Sequence, residues 1–145
     1  MKGAIFLQRY NIIIVYDKDK KNILMCKRKK KPYLGLYNFV GGKAEENETA
    51  EDAAYRELFE ETGITRDDIK LAHLMDFVYY LSKCSVEVFA GGLNKDFEVF
   101  GDENDLLWMD LDHNFFDMNE FAGEGNIGHM LEQVKISWND IFKNE

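Results

Sequence analysis

Cysteine and long apolar runs are both scarce in this chain. Its two cysteines, Cys26 and Cys84, lie in strand-like segments and lack the paired spacing of a zinc site. No apolar run approaches the roughly 18 residues of a membrane-spanning helix, and the start, MKGAIFLQRYN, lacks the apolar centre of a signal peptide. We therefore interpret both cysteines as reduced packing residues and expect a soluble, intracellular protein of the cytoplasm.

Histidine and positive charge are also limited. The three histidines, His73, His113 and His129, are scattered, and no nucleophile-base motif accompanies them, so nothing indicates covalent catalysis. The chain has 27 acidic residues against 18 lysines and arginines, which gives a formal charge of -9. This balance argues against a nucleic acid duplex held by its phosphates. A small phosphorylated substrate would have to be met by metal ions and by local positive charge.

The length and the pattern of apolar residues indicate one mixed domain. A chain of 145 residues with 46% hydrophobic content can bury one substantial core, so we expect a single domain over residues 1–145. Apolar residues at helical spacing beyond Gly125 predict a helix packed on a sheet. The predicted strands are residues 4–16, ILMCK, LYNFV, LAHLMDFVYYL, CSVEVFAGGL and DLLWMDL. Together these elements indicate the α/β (α+β) fold class.

The clearest helix signal lies near residues 50–62. Thr49, with Asp52 three residues later, resembles a capping box, and Gly63 lies where a left-handed residue would end the helix. Small side chains share one face of this helix: Ala50, Ala53 and Ala54.

Three glutamates continue that face, because positions three and four apart are neighbours on a helix: Glu57, Glu60 and Glu61. Each like-charge pair costs roughly 0.2–0.5 kcal/mol on an exposed helix, and partial burial adds several kcal/mol per ion. Bound cations reverse the sign, since hard ions such as Mg²⁺ favour carboxylate oxygens and retain water and substrate phosphate as further ligands. The alternative is a solvated acidic face with Arg56 as a local partner.

The wider spacing decides between these two interpretations. The run Gly42–Ile64, GKAEENETAEDAAYRELFEETGI, resembles the Nudix box of the MutT-like hydrolases at every defined position. Seven fixed identities at a background of about 7% each would match by chance roughly once in a hundred million start positions. The order of elements around the box also resembles the family. The resemblance implies the Nudix α/β/α sandwich, with a mixed β-sheet between helices.

For the box itself, the resemblance implies a metal site made of oxygen ligands. The implied ligands are Glu57, Glu60, Glu61 and the carbonyl of Gly41. Arg56 and Glu48 would form the pair that orients the catalytic helix. The implied cofactor is Mg²⁺, or Mn²⁺ in its place.

Around the box, the likeness is to the enzymes that cleave oxidised purine nucleoside triphosphates. Residues 35–43, GLYNFVGGK, resemble the corresponding stretch of those enzymes, which implies that Asn38 reads the purine edge. Glu103 lies five residues before Trp108, and the resemblance implies that it joins the metal site or takes a proton from water. Asp102 competes with it for that role.

Two further regions bear on substrate binding. The basic run Lys27–Lys31 precedes the glycine loop and would attract a polyphosphate toward the metals, unless it is only a solvated hairpin end. The resemblance also implies that Phe121 stacks on the base and that Glu124 binds its edge.

The predicted reaction is metal-dependent hydrolysis of a nucleoside diphosphate linked to a further group. The preferred substrate is a purine nucleoside triphosphate, oxidised or not, which would give the monophosphate and pyrophosphate. Glu57 and Glu103 are both candidates for the group that accepts the proton of the attacking water.

Other substrates and another class remain as alternatives. Family members that cleave ADP-ribose carry a proline after the box, whereas the only proline here, Pro32, precedes it, so this substrate loses support. Diadenosine polyphosphate hydrolases often carry a tyrosine in the window where Tyr79 and Tyr80 lie, and they are the enzymatic alternative. A non-catalytic nucleotide-binding regulator needs no complete carboxylate set, and the complete set in this chain favours an enzyme.

Overall fold

A computed structural model describes residues 6–99 and 105–143 of the chain. The elements in chain order are β1 (Gln8–Tyr16), β2 (Asn22–Lys27), β3 (Tyr37–Asn38), β4 (Val40–Lys43), α1 (Ala50–Thr62), β5 (Ala72–Tyr79), β6 (Cys84–Gly92), β7 (Asp105–Asp110), α2 (Asn126–Ile136) and α3 (Trp138–Phe142). Within the described ranges these strands form one 7-stranded sheet in the order β3-β2-β1-β6-β5, with β4 also paired to β1 and β7 to β2.

Strand β1 lies at the centre of the sheet and contributes side chains to two hydrophobic cores, one on each face of the sheet. It runs parallel to β6 and antiparallel to β2 and β4, so the sheet is mixed. Successive side chains of a strand point to opposite faces. Ile13 and Val15 accordingly join the core beneath α1, whereas Ile14 and Tyr16 join the core beneath α2 and α3.

Helices pack on both faces of the sheet, with one hydrophobic core under each. Ala54 and Leu58 of α1 pack on one face, and Ile127, Met130 and Val134 of α2 pack on the other. The predicted α/β/α sandwich with a mixed sheet is therefore confirmed.

Helix α1 has the predicted bounds and caps. The Thr49 hydroxyl accepts a hydrogen bond from the Asp52 backbone N–H at 3.1 Å. At the other end Gly63 has φ 81°, and its N–H donates to the Phe59 carbonyl at 2.8 Å. The capping box is not reciprocal, because the Asp52 carboxylate accepts from Arg66 at 2.6 Å.

The single helix predicted after Gly125 is divided in two. The chain bends at Ser137, between α2 and α3. This bend brings the rings of Trp138 and Phe142 edge-on to Tyr16, with centroids 5.6 and 5.4 Å away. Packing on the sheet thus overrides the continuous helical spacing of the sequence. No helix in the described part of the chain has the length and apolar character needed to cross a membrane.

Candidate metal and nucleotide site

Two glycines of β4 let the strand approach both β1 and helix α1. Gly41 and Gly42 pair with Ile12 and Asn11 of β1. A Cβ atom on Gly41 would collide with the Asn11 carbonyl oxygen, and one on Gly42 would collide with the Glu57 carboxylate. The absence of side chains at both positions therefore sets the Glu57 carboxylate directly against the main chain of the glycine loop.

Arg56 ties helix α1 to the loop that precedes it. Its Nε and Nη2 donate to the two carboxylate oxygens of Glu48 at 2.6 and 2.9 Å, which is the bidentate geometry of a strong charge-assisted pair. Its Nη2 also donates to the Lys43 carbonyl at 3.0 Å. These hydrogen bonds hold the pKa of Glu48 down at about 2. The predicted Arg56–Glu48 pair is thus present in the structure.

The same guanidinium reaches two of the three clustered glutamates. Arg56 Nη1 lies 3.2 Å from Glu57 Oε1 and 3.2 Å from Glu60 Oε2. The two acids differ in burial, because the Glu57 side chain is 15% exposed and that of Glu60 is 55% exposed. Arg56 therefore supplies the nearby positive charge for both.

Glu61 differs from these two because no arginine or lysine side chain forms an ion pair with it among the described residues. Burial raises its pKa to about 7, and the negative charges of Glu57 and Glu60 add to the rise, against a backbone hydrogen bond from Gly41 that lowers it. The neutral form of this carboxyl therefore persists to a higher pH than that of an ordinary glutamate. Burial of the Cys26 thiol, with the negative charge of Glu61 adding to it, raises the pKa of Cys26 to about 11, so that thiol stays protonated. Cys26 and Cys84 are both half-buried free thiols.

A cavity of about 710 Å³ opens beside the glycine loop and Glu61. Gly41, Gly42 and Glu61 line one part of it. Basic side chains from the loop after β2 line another part: Arg28, Lys29 and Lys30. The cavity thus places positive side chains opposite the C-terminal half of α1, which carries the three clustered glutamates and is called the carboxylate end of α1 below.

A second cavity, of about 270 Å³, lies on the α2 side of the sheet. Its walls are mainly apolar and include Phe77 and Met130, while its rim carries Tyr33 and Glu124. The Tyr33 hydroxyl lies 2.8 Å from each carboxylate oxygen of Glu124. Burial and the Glu124 carboxylate together raise the pKa of Tyr33, so the phenol remains the donor.

The two cavities share part of their lining. Ile12, Asn38 and Val86 contribute to both. The Asn38 side-chain oxygen accepts from the Phe39 N–H at 2.9 Å. The structure therefore brings Asn38 to the boundary between the charged cavity and the apolar one.

Comparison with known proteins gives the family. The model of the NUDIX domain matches residues 7–127 of this chain. The chain belongs to the Nudix family. This confirms the resemblance that the box predicted.

Two curated relatives and one solved structure illustrate the range of similar proteins. The chain is 34% identical over 111 residues to the ADP-ribose pyrophosphatase of Methanocaldococcus jannaschii, an alignment that covers 68% of this chain and 64% of the relative. It is 30% identical over 105 residues to the oxidized purine nucleoside triphosphate hydrolase of Mus musculus, covering 71% and 66% respectively. It therefore spans slightly less than two thirds of each relative.

Among solved structures, a MutT described from Aliivibrio salmonicida and Vibrio cholerae superposes with a TM-score of 0.68 at 24% identity, covering 89% of this chain and 98% of that one. This likeness extends the family fold over most of the chain.

The carboxylate and carbonyl oxygens of the Nudix box are the type of ligand that a hard divalent cation binds, but their positions do not form a complete coordination site. In residues 6–99 and 105–143, no three His, Cys, Asp or Glu side chains meet in a geometry that could hold a metal ion. Arg56 lies between Glu57 and Glu60 instead. Carboxylate and carbonyl oxygens are nevertheless the ligands that Mg²⁺ prefers. Burial, together with the charges of Glu57 and Glu60, raises the pKa of Glu61, and a bound cation would favour its charged form. A cation would compete with Arg56 for both acids.

The other predicted site residues have mixed outcomes. Phe121 is only 1% exposed, and its ring packs on Phe115 and Tyr37, so it has no free face for a base. The predicted stacking role is therefore corrected to a core role. Glu124 lies at the apolar cavity, as its predicted contact with a base requires. Glu103 and its competitor Asp102 lie outside the described residues.

Sequence reasoning missed three residues of this Nudix site. Arg9 donates to the Glu48 carbonyl at 2.8 Å and pairs with Glu87 at 3.1 Å, which fixes the loop before α1. Tyr33 binds Glu124 across the apolar cavity. Asn11 accepts from the Gly42 N–H at 3.0 Å. The one signal in the sequence was Asn11 itself, a polar residue at the start of the apolar run IIIVY.

Proposed function

We propose that this Nudix protein is a single-domain, metal-dependent hydrolase that cleaves a nucleoside diphosphate linked to a further group. The preferred substrate is a purine nucleoside triphosphate, including oxidised forms, which yields the monophosphate and pyrophosphate. The observation that carries this proposal is the pair of adjoining cavities. One is lined by Arg28, Lys29, Lys30 and the carboxylate end of α1, and the other is apolar with polar groups at its rim.

The metal ligands in this proposal are Glu57, Glu60, Glu61 and the carbonyl of Gly41. A divalent cation held there supplies two effects, polarisation of phosphoryl oxygens and a lowered pKa for a water molecule. Mg²⁺ suits the oxygen ligands best, and Mn²⁺ is the natural replacement.

The charged cavity would hold the phosphate chain. Its basic residues offset phosphate charge that the acidic protein as a whole would repel. Arg56 keeps α1 in register with the glycine loop through Glu48 and Lys43. Glu57 and Glu103 are the two candidates for accepting the proton of the attacking water, and only Glu57 lies among the residues that the structure describes.

The apolar cavity would hold the base. Asn38 and Glu124 offer an amide and a carboxylate at its boundary, and purine edges carry matching donors and acceptors. An oxidized purine nucleoside triphosphate hydrolase among the relatives supports this substrate class.

ADP-ribose is the second candidate substrate, because one relative at 34% identity is an ADP-ribose pyrophosphatase. The position of Pro32 is a weaker argument than that similarity. Diadenosine polyphosphates remain the alternative suggested by Tyr79, which lines the apolar cavity and whose hydroxyl accepts from the Asn126 side-chain amide at 3.2 Å.

The test is a substrate panel with Mg²⁺: canonical and oxidised purine nucleoside triphosphates, ADP-ribose and diadenosine tetraphosphate, with products identified by mass. We expect the triphosphates to have the highest kcat/KM. Faster cleavage of ADP-ribose or diadenosine tetraphosphate would replace the preferred substrate, and binding without turnover of any compound would indicate a regulator.

A variant tests the metal assignment. Glu60→Gln should lower kcat by about 10²- to 10³-fold, the cost of removing one strong electrostatic contact to a transition state, while the protein stays folded. Glu132→Gln, an exposed acid of α2 paired with Lys135, is the matched control and should keep full activity. Unchanged turnover of Glu60→Gln at saturating Mg²⁺ would reject its role.

A further inference from the structure

Asn11 is a buried amide in the centre of the sheet whose hydrogen bonding is incomplete. It is 3% exposed, and its side-chain oxygen accepts from the Gly42 N–H at 3.0 Å. Its Nδ2 has no hydrogen-bond partner, and it is the only buried side-chain polar atom of which this is true in the described part of the chain.

An unpaired buried donor is costly. Leaving such a group unsatisfied costs about 1–3 kcal/mol, so native proteins seldom contain one without a use for it. Asn11 is followed in β1 by Ile13 and Val15 on the same face, which shows that an apolar side chain suits this layer. The requirement for an amide at position 11 therefore comes from its neighbours in the glycine loop.

The glycine loop itself lies against the clustered glutamates of helix α1. Gly42 lies between Asn11 and Glu57, since it bonds the first and touches the second. Asn11, Gly41 and Glu61 line the same cavity. The other acid close to Asn11 in the sheet is Glu87, its register partner on β6, and Arg9 already pairs with that carboxylate at 3.1 Å.

We infer that Asn11 is a positioning residue for the cation site: its amide oxygen fixes Gly42, and its Nδ2–H donates to a carboxylate oxygen of Glu61 once a divalent cation is bound. This inference rests on the proposed function. Carboxylates that bind metals are usually held by such an outer hydrogen bond, whose loss typically costs about 10- to 100-fold in metal affinity or activity. Asn11 meets both needs because one amide carries an acceptor and a donor in a fixed plane.

A near-isosteric pair of variants separates hydrogen bonding from packing. Asn11→Val removes both the acceptor and the donor, whereas Asn11→Thr has nearly the same shape and keeps a hydroxyl that accepts and donates. Mn²⁺ binding to the full chain, without nucleotide, is measured by calorimetry at constant pH, and thermal unfolding is recorded for both variants.

We expect Asn11→Val to bind Mn²⁺ about 10- to 100-fold more weakly than the unchanged protein, and Asn11→Thr to recover most of the loss. Binding by Asn11→Val within twofold of the unchanged protein would overturn the inference, and so would an Asn11→Thr variant as weak as Asn11→Val. If the unchanged protein itself takes up no Mn²⁺, the proposed function fails with it; the two failures are therefore distinguishable.

A spectroscopic readout tests the donor directly. The side-chain NH₂ resonances of Asn11, assigned by their loss in Asn11→Val, should shift when Mg²⁺ is added. The amide of Asn22 is the internal control, because it already donates to Asp17 at 2.7 Å. Asn11 resonances that stay unchanged with saturating Mg²⁺ would mean that a buried structural water satisfies the amide, and would overturn the inference.

Discussion

Glu48 and Glu61 are two acids of one Nudix box held in opposite environments. Glu48 lies before α1 and receives two hydrogen bonds from Arg56, which lower its pKa to about 2. Glu61 lies at the other end of α1, where burial and two neighbouring carboxylates raise its pKa to about 7. The first acid stabilises the fold when it is charged, and the second destabilises it. A carboxylate kept at a cost to stability points to a use outside folding.

The largest effect on this contrast should come from Glu61→Gln. Because the folded pKa of Glu61 is raised, the native protein binds more protons than the unfolded chain between about pH 4.5 and 7, so its contribution to stability is lost as pH rises through that window. The variant should remove this loss and gain at most about 3 kcal/mol of unfolding free energy at pH 8.

Urea unfolding in EDTA at pH 5 and pH 8 measures the effect, with Glu132→Gln as the control. Equal stability of Glu61→Gln and the unchanged protein at pH 8 would contradict the environment described for Glu61. Added Mg²⁺ should reduce the advantage of the variant, since a cation stabilises the protein that keeps the carboxylate more than the variant that lacks it.

Gly42→Ala should disturb the Glu57 end of the cluster without unfolding the protein. The new methyl group would collide with the Glu57 carboxylate, which is the flexible end of a side chain and can move away. Displacing a catalytic group by about 1 Å can cost roughly 100-fold in rate. We therefore expect kcat to fall by about that factor, with a nearly unchanged unfolding midpoint. A variant with full kcat would show that the contact between Gly42 and Glu57 does not position the acid.

Glu48→Gln should weaken the paired end. Losing the charge-assisted bonds to Arg56 should lower the unfolding free energy by about 2 kcal/mol near neutral pH. In the unchanged protein this contribution is present above pH 4.5 and lost as pH falls from about 4.5 to 2, because the folded pKa is lowered. Glu51→Gln is the control, since that acid is 62% exposed and lies 3.5 Å from Arg66. Equal losses of unfolding free energy in the two variants would show that the Glu48–Arg56 pair contributes no more to stability than the exposed Glu51–Arg66 pair.

The smallest effect should come from Tyr33→Phe, which frees a third carboxylate, Glu124, from a neutral donor. The pair is exposed, so the unfolding free energy should change by less than about 0.5 kcal/mol. With no competing hydroxyl, Glu124 should pair more readily with a base, and KM for a purine triphosphate should fall about two- to fivefold at constant kcat. Tyr80→Phe, at an exposed tyrosine that lines neither cavity, is the control and should leave KM unchanged. A raised KM in Tyr33→Phe would instead make the phenol part of the binding site.

The arrangement of the glutamates on α1 was readable from the sequence because its signals are local. The cap at Thr49, the stop at Gly63 and the 3.6-residue period fix α1 and the common face of its glutamates within a single stretch of chain. The Glu48–Arg56 pair was predicted only from the resemblance of this stretch to the Nudix box. Asn11, by contrast, becomes meaningful only when β1 meets β4, and no local pattern gives that pairing.

The residues around the apolar cavity were harder to predict, because they are brought together by contacts between distant parts of the chain. Several of these residues come from loops whose path is set by packing, so alignment across gaps carried little information. Phe121 illustrates this: an aromatic in an irregular stretch was predicted to stack on a base, but the loop turns it into the core beside Phe115. Tyr33 and Glu124 meet across 91 positions of sequence, which no periodicity reveals.

Three residues line both cavities, so the charged cavity and the apolar cavity adjoin at these side chains: Ile12, Asn38 and Val86. A nucleotide anchored by its ring in the apolar cavity would have its sugar pass over these side chains, and the first phosphate would emerge at a set depth beside Glu61. In the proposed binding mode, the distance from the ring would therefore determine which phosphate bond is presented for cleavage, whatever group lies beyond that bond.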